Sequence, residues 1–447
     1  MAIHPIEFRY GTQEMKKVWN EEFRFNCIVR AEVALAMACS KAELIPRKDA
    51  LRIEELAYKA SLDRAKEIED TINHDMMAIV KSIAEVCGES GRWVHYGATS
   101  NDILDTATGL QLKSSLEIIS KKLKELLFAL IKRSLETKNL VCAARTHGQI
   151  GVPTTYGLRF AIWASEIGRH IERARELGPR IAVGQLTGAV GTQAALGNAG
   201  IEVQRKMMDL LGLTPVDVSN QVIGRDRYAE YCFFLANVAT TLDKIGIELR
   251  TLQRTEIGEV EEAFGVNQVG SSTMPHKRNP IKSEQVCGLA RIVRSFVGPA
   301  LENNTLWDER DLTNSSCERV IFPEASILAD HILTLMIKVI QGLSVKEDRI
   351  KENLGILQGV NMAESIMIEL TKMGMDRQKA HELIRVKSME AIAIKEPLAN
   401  LLLKDNNVTE LIKPEKLTLL LAPENYIGTS VKQVENVSEK LTSLYAS

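Results

Sequence analysis

The chain is predicted to be all-α, three helical domains with a central bundle of very long helices, and three observations carry this. Only 12 prolines occur in 447 residues, with none between Pro46 and Pro153, between Pro215 and Pro275, or between Pro323 and Pro397. Helices can run far in such intervals, because proline is the residue that removes an interior backbone hydrogen bond. Apolar residues then recur at three-four spacing over long stretches, at about 3.6 residues per turn. Comparable period-two alternation is lacking, apart from short β-branched or Gly-rich pieces near 180–195.

Each element follows from that periodicity. Shorter amphipathic helices are expected at 26–43 and 50–68. The first long helix is expected at 102–138, with Ile103, Ala107, Leu110, Leu116, Ile119, Leu123, Leu126, Leu127, Leu130 and Ile131 on its apolar face. Ser100 and Asn101 are its candidate N-caps, and Asp102 and Asp105 suit the positive end of the helix dipole. Further helices are expected at 157–176, at 228–262 (Phe234, Leu235, Val238, Leu242, Ile245, Leu249, Leu252), at 281–304 and at 323–342. Beyond Leu354 the pattern shortens into 360–373, 376–393 and 431–443. The chain therefore divides into domains at 1–101, 102–350 and 351–447, with no internal repeat or low-complexity tract.

Composition narrows the function. With 56 basic against 58 acidic residues, nothing points to a nucleic-acid or membrane surface, so any anion binding must be local. The N-terminus lacks a basic segment followed by an apolar run, and no stretch approaches about 18 uninterrupted apolar residues, so a cytoplasmic protein is expected. The seven cysteines are dispersed and never spaced C-x-x-C, which reads as reduced, mostly buried small residues. Histidine pairs with helical metal-ligand spacing, G-x-G-x-x-G and phosphate-loop motifs are all lacking, so no metal and no cofactor are expected.

The chemistry concentrates in polar segments beside the long helices. Residues 270–280 read Gly-Ser-Ser-Thr-Met-Pro-His-Lys-Arg-Asn-Pro. Two hydroxyls (Ser271, Ser272) and two cations (Lys277, Arg278) suit an anionic ligand; Gly265 and Gly270 permit movement, and Pro275 and Pro280 stiffen the far end. Three further islands cover 93–102, 145–153 and 307–319. Each brings hydroxyls, amides or cations near a helix terminus, where free N–H groups favour anions. Taken singly, the 270–280 segment reads as a solvated connection, and 93–102 and 145–153 read as capping loops.

The loop string resembles the signature of the fumarase/aspartase superfamily, whose members break C–N or C–O bonds by β-elimination and release fumarate. The other islands are similar to further segments of that superfamily, in the same order. Met-Pro-His-Lys-Arg-Asn-Pro resembles two branches, one cleaving adenylosuccinate and the succinyl-carboxamide ribotide, the other cycloisomerising 3-carboxy-cis,cis-muconate. Trp307-Asp308-Glu309-Arg310-Asp311, then Ser315-Ser316-Cys317-Glu318-Arg319, together with Gln221, Arg225-Asp226-Arg227 and Arg9-Tyr10, resemble the first. The resemblance covers nearly the whole chain and is weakest after residue 350.

It implies a set of roles. Ser271 is the implied base, a choice over Ser272 that the residues alone do not make; its alkoxide needs stabilisation by Lys277, loop N–H groups and a helix terminus. His147 is the implied general acid. Lys277, helped by Asn279, stabilises the carboxylate charge, and Glu284 orients a histidine, with His147 the candidate partner. Implied substrate-binding residues are Arg9, Tyr10, His74, Asp75, His95, Thr99, Ser100, Gln221, Arg310, Ser315 and Arg319, the arginines suited to bidentate anion recognition. Asn73 stands where many relatives carry a basic residue. His4, His170, His276, His331 and His381 receive no role. The resemblance further implies a homotetramer with active sites shared between subunits. Alternative readings are the cycloisomerase and a crystallin-like structural protein of the same fold; against the latter, Ser271, His147, Lys277 and Glu284 are all present.

Overall fold

A computed structural model of the chain describes residues 3–265 and 270–446. About 70% of residues are helical and 5% lie in strands, so the all-α class holds. The long helices are α1 (Glu21–Lys41), α2 (Ser100–Glu136), α3 (Tyr156–Ile181), α4 (Asp226–Leu252), α5 (Ile281–Ser295) and α6 (Thr313–Gly342). Further helices, most of them shorter, lie on either side of α1 and after α6. The packing forms two compact units, the first from residues 1–123, 170–243 and 286–334, the second from 124–169, 244–285 and 335–447. Every boundary between them falls inside one of the helices α2 to α6.

In the first unit, α1 is helical because its apolar and small residues fall at three-four spacing; Asn20 caps it, its side-chain oxygen accepting from the Phe23 N–H at 2.7 Å. Its buried face packs with Ile53, Met76, Ile83, Ile103, Leu110 and Met207 in one continuous core. The head of α2 is fixed by Asp102, fully buried, whose carboxylate accepts from the N–H groups of Thr99 (2.9 Å), Thr187 (2.8 Å) and Gly188 (3.1 Å). Ser100 and Asn101 therefore lie in the first turn rather than at the cap, because the buried Asp102 reaches back to Thr99. In the second unit, Ile366, Leu370, Ile384, Leu398, Leu402 and Leu417 form the core of the C-terminal helices.

Four elements depart from the sequence reading. Helix α4 stops at Leu252, ten residues early: Gly258 takes φ +63°, its N–H meets the Arg254 carbonyl at 2.7 Å, and the chain leaves as β5 (Val260–Glu261), antiparallel to β6 (Ser344–Val345). The segment 281–304 breaks after Ser295 and resumes as Val297–Glu302, since Pro299 has no N–H for the Ser295 carbonyl. Helix α6 starts at Thr313, and Pro323, read as its first residue, lies inside it. Asp311 anchors the start, accepting from the Thr313 N–H (2.8 Å) and the Trp307 N–H (2.9 Å).

The fourth departure is an unpredicted antiparallel hairpin of β1 (Val141–Thr146) and β2 (Gln149–Thr155). Gly151 and Pro153 disguise β2 as a loop in the sequence; Pro153 pairs opposite Ala143, next to an irregularity in the ladder. A parallel two-residue bridge joins β3 (Val183–Gly184), in the region where short β pieces were expected, to β4 (Thr214–Pro215). Helix α6 has the length and hydropathy of a membrane span, but 67% of its most apolar window is buried inside the protein, as in a core helix.

Candidate active site

The first unit holds a cavity of about 340 Å³ whose walls come from α1, the first turns of α2, and α6. Its lining includes Arg24, Asp105, Arg225, Arg310, Ser315 and Arg319. At its base Arg225 is clamped by Asp105 through two hydrogen bonds of 2.8 and 2.9 Å, and its Nε lies 3.1 Å from Glu318. Burial works against the Arg225 cation, but the charge and hydrogen bonds of Asp105 outweigh it and keep it protonated. Burial pushes the Glu318 carboxyl above its ordinary range, with Arg225 opposing.

Arg24 and Arg319 stand near each other at the cavity. Burial and the Arg319 charge both depress the Arg24 pKa, so two guanidiniums with incomplete compensation face one region. That is an anion-favouring arrangement. Arg319 donates to Asp75 at 2.7 Å. Burial raises the Asp75 pKa, yet the Met76 N–H and Arg319 pull it below the usual carboxylate value. Arg310 donates to the Gln221 side-chain oxygen at 2.9 Å, and Gln221 donates in turn to the Ala189 carbonyl. Asn101 Oδ1, Asn314 Oδ1 and Arg310 Nε, all at this cavity, are buried with no hydrogen-bond partner among the described residues, which leaves them for a ligand or water.

The other implied substrate residues of this unit lie outside the cavity lining. His74 caps the helix Asp75–Cys87, its Nδ1 accepting from the Met77 N–H at 3.2 Å. Asn73 closes the preceding helix in the left-handed region (φ +50°), a position asparagine tolerates and a lysine or arginine does not favour. His95 lies 2.6 Å from Glu32. Thr99 and Ser100 sit at the head of α2. Arg9 is exposed at the end of the short helix Pro5–Phe8, and the Tyr10 ring packs against His331 at 5.3 Å between centroids.

The second unit carries the remaining candidates. His147 and Gly148 form the two-residue turn between β1 and β2, with φ +53° and +77°. Positive φ at both central positions is the type I′ pattern that matches strand twist, and it projects an exposed His147 from the hairpin tip. The hairpin's base is tied to Glu259, fully buried, which accepts from Arg145 (2.7 Å), Tyr156 Oη (2.6 Å) and Asn353 (2.9 Å). Burial raises the Glu259 pKa, but these donors outweigh it and hold the carboxyl below its usual range.

In the loop before α5, Ser271 Oγ accepts from the N–H groups of Thr273 (3.3 Å) and Met274 (3.0 Å). Asn279 donates to the Gly270 carbonyl at 3.1 Å, folding the loop back on itself, and Lys277 is exposed. A Cβ at Gly270 would meet the Lys277 carbonyl at 2.0 Å, so this close return requires glycine. Arg278 pairs with Glu261 at 2.7 Å and stacks over Phe264. Residues 266–269 of the same loop lie outside the described residues.

The α5 N-terminus is occupied by Glu262, which accepts from Ser283 N–H (2.8 Å), Ser283 Oγ (2.6 Å) and Lys282 N–H (3.2 Å). The positive end of α5 therefore already has a carboxylate of its own. Glu284 is exposed on the first turns of α5. Among the described residues, no hydrogen bond or ion pair joins His147 to Glu284 or to Ser271 within one chain. Nor, among them, is any group of three His, Cys, Asp or Glu side chains arranged to hold a metal ion.

The family model described as "Lyase" matches residues 7–295. Among solved structures, a fumarate lyase from a Mesorhizobium species has a TM-score of 0.88 at 30% identity, covering 96% of this chain and 98% of its own. A 3-carboxy-cis,cis-muconate lactonizing enzyme from Pseudomonas putida has 0.89 at 28% identity, covering 99% of both. Helical frame and loop chemistry together define a C–N lyase of the fumarase/aspartase superfamily. The chain belongs to the adenylosuccinate lyase family: a second model, "Adenylosuccinate lyase C-terminus", matches residues 359–437, and the adenylosuccinate lyase of Archaeoglobus fulgidus is 51% identical over 98% of both chains. That of Methanocaldococcus jannaschii is 51% identical over 99% of this chain and 96% of its own.

Proposed function

We propose that this chain cleaves adenylosuccinate to AMP and fumarate, and the succinyl-carboxamide ribotide to its carboxamide and fumarate, in purine biosynthesis. The observation that carries the reading is the 51% identity to adenylosuccinate lyases over essentially the full length. The muconate lactonizing enzymes share the fold at only 25% and 28% identity, so the cycloisomerase reading is not favoured.

In this reading Ser271 removes the proton next to the succinyl carboxylate, and the two N–H groups aimed at its Oγ favour the anionic form it must pass through. Lys277 and Asn279 hold the charge that accumulates on the carboxylate, and His147 protonates the departing nitrogen, with Glu284 orienting it. The paired Arg24 and Arg319, with Arg310 and Ser315, suit the phosphate end. Arg9, Tyr10, His74, Asp75, His95, Thr99, Ser100 and Gln221 complete substrate binding. His147, Glu284 and Ser271 make no bond to one another within one chain, which supports active sites assembled between subunits of a cytoplasmic homotetramer. Three successive helical domains, 1–101, 102–350 and 351–447, would supply its parts. Mixing purified protein with adenylosuccinate and following fumarate tests the reading, and no release overturns it. A fully active monomer in dilute solution would remove the shared-site part.

A further inference from the structure

The buried face of α1 is apolar or small at every position but one. Glu32 is the only charged residue among the helix's buried residues, and its side chain has no solvent exposure. A carboxylate in such a place is costly unless its partners return the loss. Both partners belong to one residue: Oε2 accepts the backbone N–H of His95 at 2.9 Å, and Oε1 lies 2.6 Å from His95 Nδ1. His95 itself sits in the left-handed region (φ +66°), two residues before Gly97, which takes φ +74°. An anchor for that strained turn needs only the backbone bond. The second oxygen spends its contact on the ring.

We infer that Glu32 is the positioning residue of His95, turning the Nδ1 hydrogen inward and leaving Nε2 as the nitrogen offered to an anionic oxygen of the ligand. The inference rests on the reading of His95 as a substrate-site residue. Among the described residues no other hydrogen bond uses the ring, and the side chain keeps 13% exposure. The charged groups that bear on it are Glu32 from α1 and Asp102 from α2. Burial disfavours the imidazolium, but these two carboxylates outweigh it and raise its pKa above the ordinary histidine value. A raised pKa favours the imidazolium, in which Nε2 carries a hydrogen and donates to a carboxylate or phosphate instead of repelling it with a lone pair.

The test is made on the full chain labelled with 15N-histidine, with the His95 signals assigned by their loss in His95→Gln. The ring should titrate above the ordinary histidine value, with the Nδ1 hydrogen held against Glu32 and slow to exchange. In Glu32→Gln its proton affinity should fall by about tenfold or more. The high-pH limb of fumarate release should move to lower pH by the same amount, because the ring then loses its proton earlier. Glu32→Asp, which keeps the charge, should restore much of the limb's position. A bare Nδ1 at pH 7, or a Glu32→Gln protein whose ring titration and pH limb stay where they were, overturns the inference. If Glu32→Gln does not fold, the unsubstituted protein's spectrum decides alone. Absence of fumarate release by the unsubstituted protein would defeat the functional reading, while the ring's state would still judge Glu32.

Discussion

Asp105 on α2 and Arg225 just ahead of α4 are joined by two hydrogen bonds, Oδ2 to Nη1 at 2.8 Å and Oδ1 to Nη2 at 2.9 Å, with both side chains almost fully buried. Removing Asp105 leaves the buried Arg225 cation with Glu318 as its remaining carboxylate, and breaking a buried pair costs about 3 kcal/mol or more. Asp105→Ala should therefore lower the urea midpoint by that equivalent, while Asp105→Ala with Arg225→Met should regain part of it. A single substitution with an unchanged midpoint would show that the pair is not structural.

Ser271→Ala separates chemistry from folding. The side chain's hydrogen bonds lie within an exposed loop, and such substitutions usually change stability by about 0.5 kcal/mol or less. Fumarate release should drop by orders of magnitude at an unchanged denaturation midpoint. Near-normal turnover would take Ser271 out of the mechanism and direct attention to Ser272.

His147 holds a positive-φ turn position and, in the proposed reading, protonates the departing nitrogen; different replacements distinguish the two. Asparagine accepts the left-handed conformation of the hairpin turn, so His147→Asn should keep the melting temperature and lower kcat by about 10²- to 10⁴-fold. Valine does not, and His147→Val should in addition lose about 1–2 kcal/mol of stability. Equal melting temperatures for both variants would mean the turn does not hold its positive φ in solution.

Glu259 makes a pH prediction with a definite sign. Its folded-state pKa lies below the unfolded one, so its ionised form contributes stability above the ordinary glutamate value of about 4.3, and that contribution is lost as pH falls through the folded value. Glu259→Gln should be less stable than the unsubstituted protein at pH 7, and the gap should close in acid. Urea midpoints measured from pH 7 to pH 3 check this, and a gap that widens in acid contradicts it.

What the sequence discloses here depends on how local its cause is. Long proline-free three-four periodicity is a local cause, and helices α2, α3 and α4 were legible from it. Their ends were less so, because β5 leaves α4 early to meet a strand more than eighty residues later. Pro323 misled in the opposite direction: a proline read as a helix start sits inside α6, whose true start depends on Asp311. The hairpin was hidden by Gly151 and Pro153, although His147-Gly148 between two β-branched stretches was a usable turn signal. Ser271, Lys277 and His147 stood out through motif resemblance. Glu32 and Glu262 did not, since one is the single acid on the buried face of its helix and the other ends an acidic run, and only tertiary packing reveals their partners.

The carboxylate of Glu262 at the head of α5 has a consequence for how this loop can change. Backbone amides at a helix end are an anion receptor that side-chain exchange, proline aside, leaves in place, and here the chain has claimed that receptor for itself. What remains to attract an incoming carboxylate near residues 271–279 is side-chain chemistry, which single codons can alter in charge and reach. Any change in the anion this loop favours can therefore come from exchanging side chains such as those of residues 276–278, on a frame that need not move.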